Sequence, residues 1–287
     1  HSFPTRRSSD LKLEAVIEVV RKYCPQVKII TMYAAVRNIA IKSDEDLVRL
    51  RKLGVNDLYV GIETGSTKSL TYLNKGNTAE EAMEQCLRLN NAGIRHRDML
   101  MPGAAGKGKL LAEAEATARL ENAIKPDMVI LTTMSIFPGT ELEKAVKEGS
   151  FEVAPESEVL TAEKRFIELL KIPDTYLWAA HSLDSTRIAG LLGEHKNEML
   201  AALQHSIDTI DDEVFWIFSV QVLNFLLTSS ISCLTFFSSS LSSAFSCLRL
   251  STAWSANVYV TGIISEVEST RNALKGRISA IINNYLN

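Results

Sequence analysis

The chain has 287 residues, 31 basic and 34 acidic, for a formal net charge of −3; 46% of residues are hydrophobic and 23% charged. These are ordinary globular values; the near-zero net charge and lack of Lys/Arg blocks argue against a dedicated nucleic-acid binder, and the apolar content against a largely disordered chain. Its four cysteines (Cys24, Cys86, Cys233, Cys247) form no CxxC or CxxxC pair and follow no signal peptide, which argues against a disulfide framework or a cysteine-built metal site.

The two ends read differently from the middle. Residues His1–Asp10 (HSFPTRRSSD) have no helical or strand period and look like an adapter-derived leader, so they are set apart from the fold. Val214–Ser265 carries one charge, Arg249, and thirteen serines in 52 residues. That tail admits three descriptions: a membrane segment at Val214–Phe237, an apolar hairpin region, or frame-shifted, non-native text. The expected organisation is a leader at 1–10, an α/β core at 11–150, a helical extension at 151–213 and a Ser-rich apolar tail at 214–287.

Leu11–Tyr23 spaces Leu13, Val16, Ile17 and Val20 for an amphipathic helix stopped by Pro25. Val27–Tyr33 is an apolar run suited to a buried strand. Ser43 and Asp46 form a capping box for a helix over Asp44–Leu53, closed by Gly54. Leu58–Ile62 is the next strand. Thr78 and Glu81 open a helix to Asn91, closed by Gly93. Ile94–Met101 is strand-like, Gly103–Gly108 is a glycine loop, a helix follows through Ala123, and Asp127–Ser135 is a fourth strand ended by Pro138 and Gly139. Beyond Phe151 the pattern turns helical, best over Pro155–Leu170 and Glu194–Ile210.

Such alternation specifies parallel strands with right-handed helical crossovers, as an α/β barrel or a doubly wound sheet. The strands look continuously apolar, so both faces are expected to be covered. Ligands in these folds meet the carboxyl ends of the strands. Glu63 leaves the buried run Leu58–Ile62 between Gly61 and Gly65, as a ligand-facing carboxylate or a solvated strand-end charge. Asp98 is a carboxylate for ligand hydroxyls or an ion-pair partner of Arg95 or Arg97. Lys75, before a helix N-cap, neutralises an anionic ligand or is a solvated loop charge. The loop Gly103–Gly108 departs from a phosphate-binding P-loop, because Met101 stands where its first glycine belongs and Gly108 replaces the Ser/Thr. A glycine-rich anion nest there, serving a phosphate-bearing ligand, is the alternative function. His181 is a lone histidine, and no HExxH, HxxxH or GxSxG spacing supports zinc hydrolysis or a serine nucleophile.

Four stretches carry a resemblance: Leu58–Ser66 (LYVGIETGS), Leu73–Gly76 (LNKG), Ala92–Ile94 (AGI) and Phe137–Thr140 (FPGT). In this order and spacing they resemble the radical S-adenosylmethionine (SAM) enzymes, in the branch of the oxygen-independent coproporphyrinogen oxidases and Elp3-like proteins. The resemblance covers roughly 11–202, with His181 and Gly193–Met199 in its tail. It implies a partial (β/α)6 TIM-like barrel missing its first strands, followed by a helical extension. It further implies an enzyme that cleaves SAM with a [4Fe–4S] cluster to a 5′-deoxyadenosyl radical, using an external electron donor. By the same resemblance Glu63 and Asp98 contact SAM at its ribose or nearby, Lys75 approaches its carboxylate, Gly65 is a further cofactor-binding residue, and Ile136–Thr140 lines the adenine side. The CxxxCxxC loop and the glycine motif of the family are absent, so the chain is expected to be an N-terminally truncated, cluster-free fragment of a cytoplasmic parent enzyme. No metal ligands are assigned in it, and the substrate is left open.

Overall fold

Helix α1 (Ser8–Tyr23) of the computed structural model, which describes residues 8–132, 134–180 and 185–212, begins inside the stretch set apart as a leader. The side chain of Arg21, in its last turn, reaches across to the Leu53 carbonyl at 2.9 Å. After the turn at Pro25 come β1 (Ile30–Ala34) and the short α2 (Val36–Ala40). The expected capping box holds α3 (Asp44–Leu53). The Asp46 amide donates to Ser43 Oγ at 3.1 Å, and the Ser43 amide to Asp46 Oδ2 at 3.3 Å. Gly54 ends that helix at φ 100°, a left-handed conformation that favours glycine.

β2 (Val55–Glu63) and α4 (Thr67–Tyr72) lead to α5 (Ala79–Asn91), capped reciprocally by Thr78 and Glu81. There follow β3 (Arg95–Leu100), α6 (Leu110–Ile124), β4 (Met128–Leu131), α7 (Glu141–Lys147) and α8 (Glu156–Leu169). The described chain ends with β5 (Tyr176–Ala179), β6 (Ile188–Leu191) and α9 (Leu192–Thr209).

The six strands form one sheet in the order β1-β2-β3-β4-β5-β6. The first five run parallel, and β6 returns antiparallel on β5. Neighbours in sequence are neighbours in space, so the strand-order reversal of a doubly wound sheet is absent among the described residues. Right-handed crossovers then carry every helix to the same side. The helices pack in that sequence, α5 on α6, α6 on α8 and α8 on α9.

Two expectations are corrected here. The segment from Phe151 onward is not purely helical: β5 and β6 are strands of the same sheet. Nor are both faces of the strands covered. Leu58, Val60 and Ile62 on β2, Leu100 on β3, Val129 and Leu131 on β4, and Leu177 and Ala179 on β5 are buried under the helices. The residues between them include Arg95, Arg97, Tyr59 and Tyr176, which are exposed or half-buried. The sheet therefore has a helix-covered face and an open face, and period-two alternation decides which a side chain meets. No helix among the described residues is long and apolar enough to cross a membrane. The candidate segment Val214–Phe237, His181 and most of the leader lie outside the described residues.

Candidate ligand-binding rim

The open face is organised by the register of β1, β2 and β3. Tyr33 aligns with Tyr59, and Tyr59 with Arg97. The two tyrosine rings lie 5.3 Å apart, and the Arg97 guanidinium sits 5.2 Å from the Tyr59 ring centre while donating to its hydroxyl at 2.9 Å. One step toward the N-terminal end, the fully buried Asp57 accepts from Arg95 at 3.0 Å and Arg97 at 3.4 Å. Arg95 also reaches Asp127 at 3.0 Å. The arginines of β3 are thus held by Asp57 and Asp127, not by Asp98.

One step the other way stands Gly61, and beyond it the C-terminal rim. Glu63 leaves β2 at φ 64°, in a region that costs a non-glycine residue about 1–2 kcal/mol. The Met101 amide donates to its carbonyl at 2.9 Å. Its carboxylate takes Lys75 Nζ at 2.6 Å, both side chains remaining partly open to solvent. Lys75 comes from the turn after α4, where Asn74 at φ 54° and Gly76 at φ 74° are also left-handed. A Cβ on Gly61 would stand 3.1 Å from Glu63 Oε1 and 3.5 Å from Lys75 Nζ. The absent side chain therefore lets the acid–base pair lie close over the strand, beside backbone in uncommon conformations.

The other expected residues lie elsewhere. A Cβ on Gly65 would meet the Ala116 carbonyl oxygen at 2.5 Å, and its amide donates to Thr117 Oγ1 at 2.9 Å. Gly65 thus lets the turn after β2 lie against the backbone of α6. Asp98 shares the parity of His96 and Leu100, so it points beneath the helices, fully buried, with His96 Nδ1 at 2.8 Å. Of the four expected ligand contacts, only Glu63 and Lys75 come together at the rim. The segment at Phe137–Thr140 caps α7, the Thr140 hydroxyl accepting from the Glu143 amide at 3.2 Å.

The glycine loop offers little to an anion. The Gly108 amide already donates to Glu158 Oε1 at 2.7 Å, and the Ala105 amide to Glu113 Oε2 at 3.1 Å. Carboxyl groups of the chain already accept from these amides, which a phosphate nest would need free.

One functional candidate escaped the sequence reading. An open cleft lies behind the strand ends, lined by Thr64, Met101, Leu131, Phe166 and the first turns of α6. It contains Glu113, whose Oε1 has no hydrogen-bond partner. Burial raises its pKa, against the opposing pull of the Ala105 amide and the Ser69 and Thr64 hydroxyls. Its signal in the sequence is an acid among Leu110, Ala114 and Thr117 at helical i, i+3, i+4, i+7 spacing.

No family model matches the chain. The tRNA uridine(34) acetyltransferase of Methanocaldococcus jannaschii is 26% identical over 118 residues, covering 41% of this chain and 22% of the relative. The chain thus matches about a fifth of that curated relative's length. Among solved structures, the Elp3 of Methanocaldococcus infernus with an N-terminal deletion aligns at TM-score 0.47 and 18% identity, over 60% of this chain and 41% of that one. Methylornithine synthase (PylB) aligns at TM-score 0.45 and 16% identity, over 67% and 50%.

Proposed function

We propose, from the likeness of this chain to the radical SAM enzymes, that the open-face rim holds S-adenosylmethionine, with Glu63 and Lys75 gripping its polar end. The observation that carries this is the Glu63–Lys75 pair, 2.6 Å apart over Gly61. SAM presents a carboxylate beside an ammonium group, and a ribose diol further along. Lys75 donates to the carboxylate, and Glu63 accepts from the ammonium or the ribose hydroxyls. Left-handed backbone at Glu63 and Asn74 fits a functional rim, since strain persists where the surrounding structure enforces it. The Tyr33–Tyr59–Arg97 row lies one step inside and offers a flat apolar and cationic floor.

In radical SAM enzymes the bound ligand supplies a 5′-deoxyadenosyl radical after reduction by a [4Fe–4S] cluster held on three thiolates. Among the described residues no three thiols converge. Cys24 lies half-buried in the turn after α1, and Cys86 is buried behind the sheet. A cluster does not fit these residues, and the role proposed for them is binding and orientation of SAM. The parent enzyme's external electron donor, cytoplasmic location and substrate belong to the same proposal, the substrate being undefined by any group on the rim.

Calorimetric titration of the full chain with SAM tests this. Lys75→Ala and Glu63→Gln each remove a charge-assisted contact of about 1.5–3 kcal/mol. At about 1.4 kcal/mol per decade, affinity falls roughly tenfold to a hundredfold. Asp98→Asn, behind the sheet, leaves it within about twofold. Failure of the unaltered chain to bind SAM, or equal losses in all three variants, rejects the assignment. Anaerobic reconstitution with iron and sulfide should give no stoichiometric [4Fe–4S] spectrum, and such a spectrum would show that a cluster is held after all.

A further inference from the structure

The helix-covered face carries polar groups that the rim does not use. Cys86 from α5, His96 and Asp98 from β3 and Glu121 from α6 meet between the sheet and its helices, each at most 1% exposed. The Cys86 sulfur, a His96 ring nitrogen and an Asp98 oxygen all lie within 4.8 Å of one another. We propose that Cys86, His96 and Asp98, with Glu121 beside them, hold a single zinc-type divalent cation that ties α5, β3 and α6 together.

The imidazole is already set for this. His96 Nε2 lies 3.3 Å from the Ile124 carbonyl, which only accepts, so Nε2 carries the hydrogen. In the neutral ring, Nδ1 is then the lone-pair nitrogen, and it faces the Asp98 oxygens at 2.8 and 3.0 Å. Two acceptors facing each other need a proton or a cation between them. A histidine that ligates metal through one nitrogen and donates to a backbone carbonyl through the other is the usual arrangement around such ions.

Glu121 is the independent observation. It is 0% exposed, and neither of its carboxyl oxygens reaches an N–H or hydroxyl donor. A carboxyl buried without such a donor is costly to ionise. Without a cation it is held toward the neutral form, first by burial, then by the Asp98 charge and by a hydrogen bond to the Asp98 carboxylate. The same burial and the same two carboxylates push the Cys86 thiol up. Around His96, burial alone would favour the neutral ring; Asp98 outweighs it and pulls the imidazole toward the protonated form. Bound as thiolate and two carboxylates, these groups would set −3 against the +2 of a divalent ion.

The donor types select the ion. Calcium and magnesium prefer all-oxygen shells, whereas thiolate, imidazole and carboxylate together suit zinc. Tetrahedral zinc sets its donors about 3.3–3.8 Å apart, from bonds of about 2.0–2.3 Å. The His96–Asp98 contact has to open slightly and the widest donor separation to close by about 1 Å, which side-chain rotation alone supplies. Three donors converge here, and with Glu121 swung in as the fourth no open position would remain, which makes the site structural rather than catalytic. This inference does not rest on the SAM assignment: it concerns the other face of the sheet.

The test uses the full chain freed of metal with a chelator and titrated with cobalt(II) or zinc(II) alone. One equivalent of cobalt should give the visible bands of a tetrahedral site and a near-ultraviolet thiolate-to-cobalt band. At a hundredfold excess over Kd, zinc should raise Tm by about 5–10 °C. Cys86→Ala should abolish the thiolate band, Cys24→Ser should leave it intact, and Glu121→Gln should weaken binding at least tenfold while circular dichroism shows the fold retained. The proposal is overturned if one equivalent gives neither band nor Tm shift, if the thiolate band survives Cys86→Ala, or if folded Glu121→Gln binds as tightly as the unaltered chain.

Discussion

The two faces of the sheet handle charge in opposite ways. On the open face, Asp57, Arg95, Arg97, Glu63 and Lys75 settle into ion pairs, and most of these side chains keep part of their surface in water. On the covered face, His96, Asp98, Glu121 and Cys86 are crowded together with no lysine or arginine among them. Paired, solvated charges cost little and can be re-paired with a ligand; buried unpaired acids cost several kcal/mol each and persist only where something offsets them. On the two proposals above, the open face is where a soluble ligand would exchange, and the covered face where an ion, once bound, would stay.

The largest break in this comparison comes from the apolar core. Ile62 on β2 is fully buried beneath the helices, whereas Tyr33 on the opposite face is 77% exposed. Ile62→Ala should cost about 2–5 kcal/mol in urea unfolding, by lost transfer energy and the cavity left behind. Tyr33→Ala should stay within about 1 kcal/mol, chiefly the ring contact with Tyr59. Equal losses at the two positions would mean that both faces are covered, as the apolar look of the strands first suggested.

Gly65 sharpens the comparison at the rim itself. Its neighbour Glu63 carries one of the proposed SAM contacts, while its own missing side chain makes room for the backbone of α6. Gly65→Ala forces backbone against backbone, an overpacking cost of about 1–3 kcal/mol. Stability should fall in thermal unfolding while SAM affinity at temperatures where the variant is folded stays within about twofold. A selective loss of SAM affinity with Tm unchanged would return Gly65 to the binding site.

How far these roles were legible depends on how local their causes are. The helix ends at Ser43, Gly54 and Thr78 stand as expected, because a capping box and a left-handed glycine involve residues three or four apart. The sheet alternation was legible in part. Arg95 and Arg97 cannot lie beneath helices, so they mark the open face, and parity then sends His96 and Asp98 the other way; what obscured this was the apolar look of the neighbouring strands. β5 and β6 were not legible, since each has only four residues and is fixed by pairing with a distant partner. The meeting of Cys86 with His96 and Asp98 was not legible either. No motif spacing links them, and only the packing of α5 on β3 brings them together.

The smallest expected effect lies at Glu113, where the two ways of holding charge meet. This acid is nearly buried in the cleft behind the rim, one oxygen bonded to the Ala105 amide and the other unpartnered. Burial, outweighing that amide and the nearby hydroxyls, leaves its folded pKa raised. Below about pH 4 the folded and unfolded chains both hold the proton, and Glu113 contributes no pH dependence. As the pH rises the unfolded chain ionises first, so stability falls until the folded carboxyl ionises too. Glu113→Gln keeps the shape and the acceptor for Ala105 but cannot ionise. Its Tm should match that of the unaltered chain near pH 4 and exceed it by a few degrees at pH 8. A difference that stays flat with pH, or a variant less stable at pH 8, would show that Glu113 is charged and solvated in the fold, like the acids of the open face.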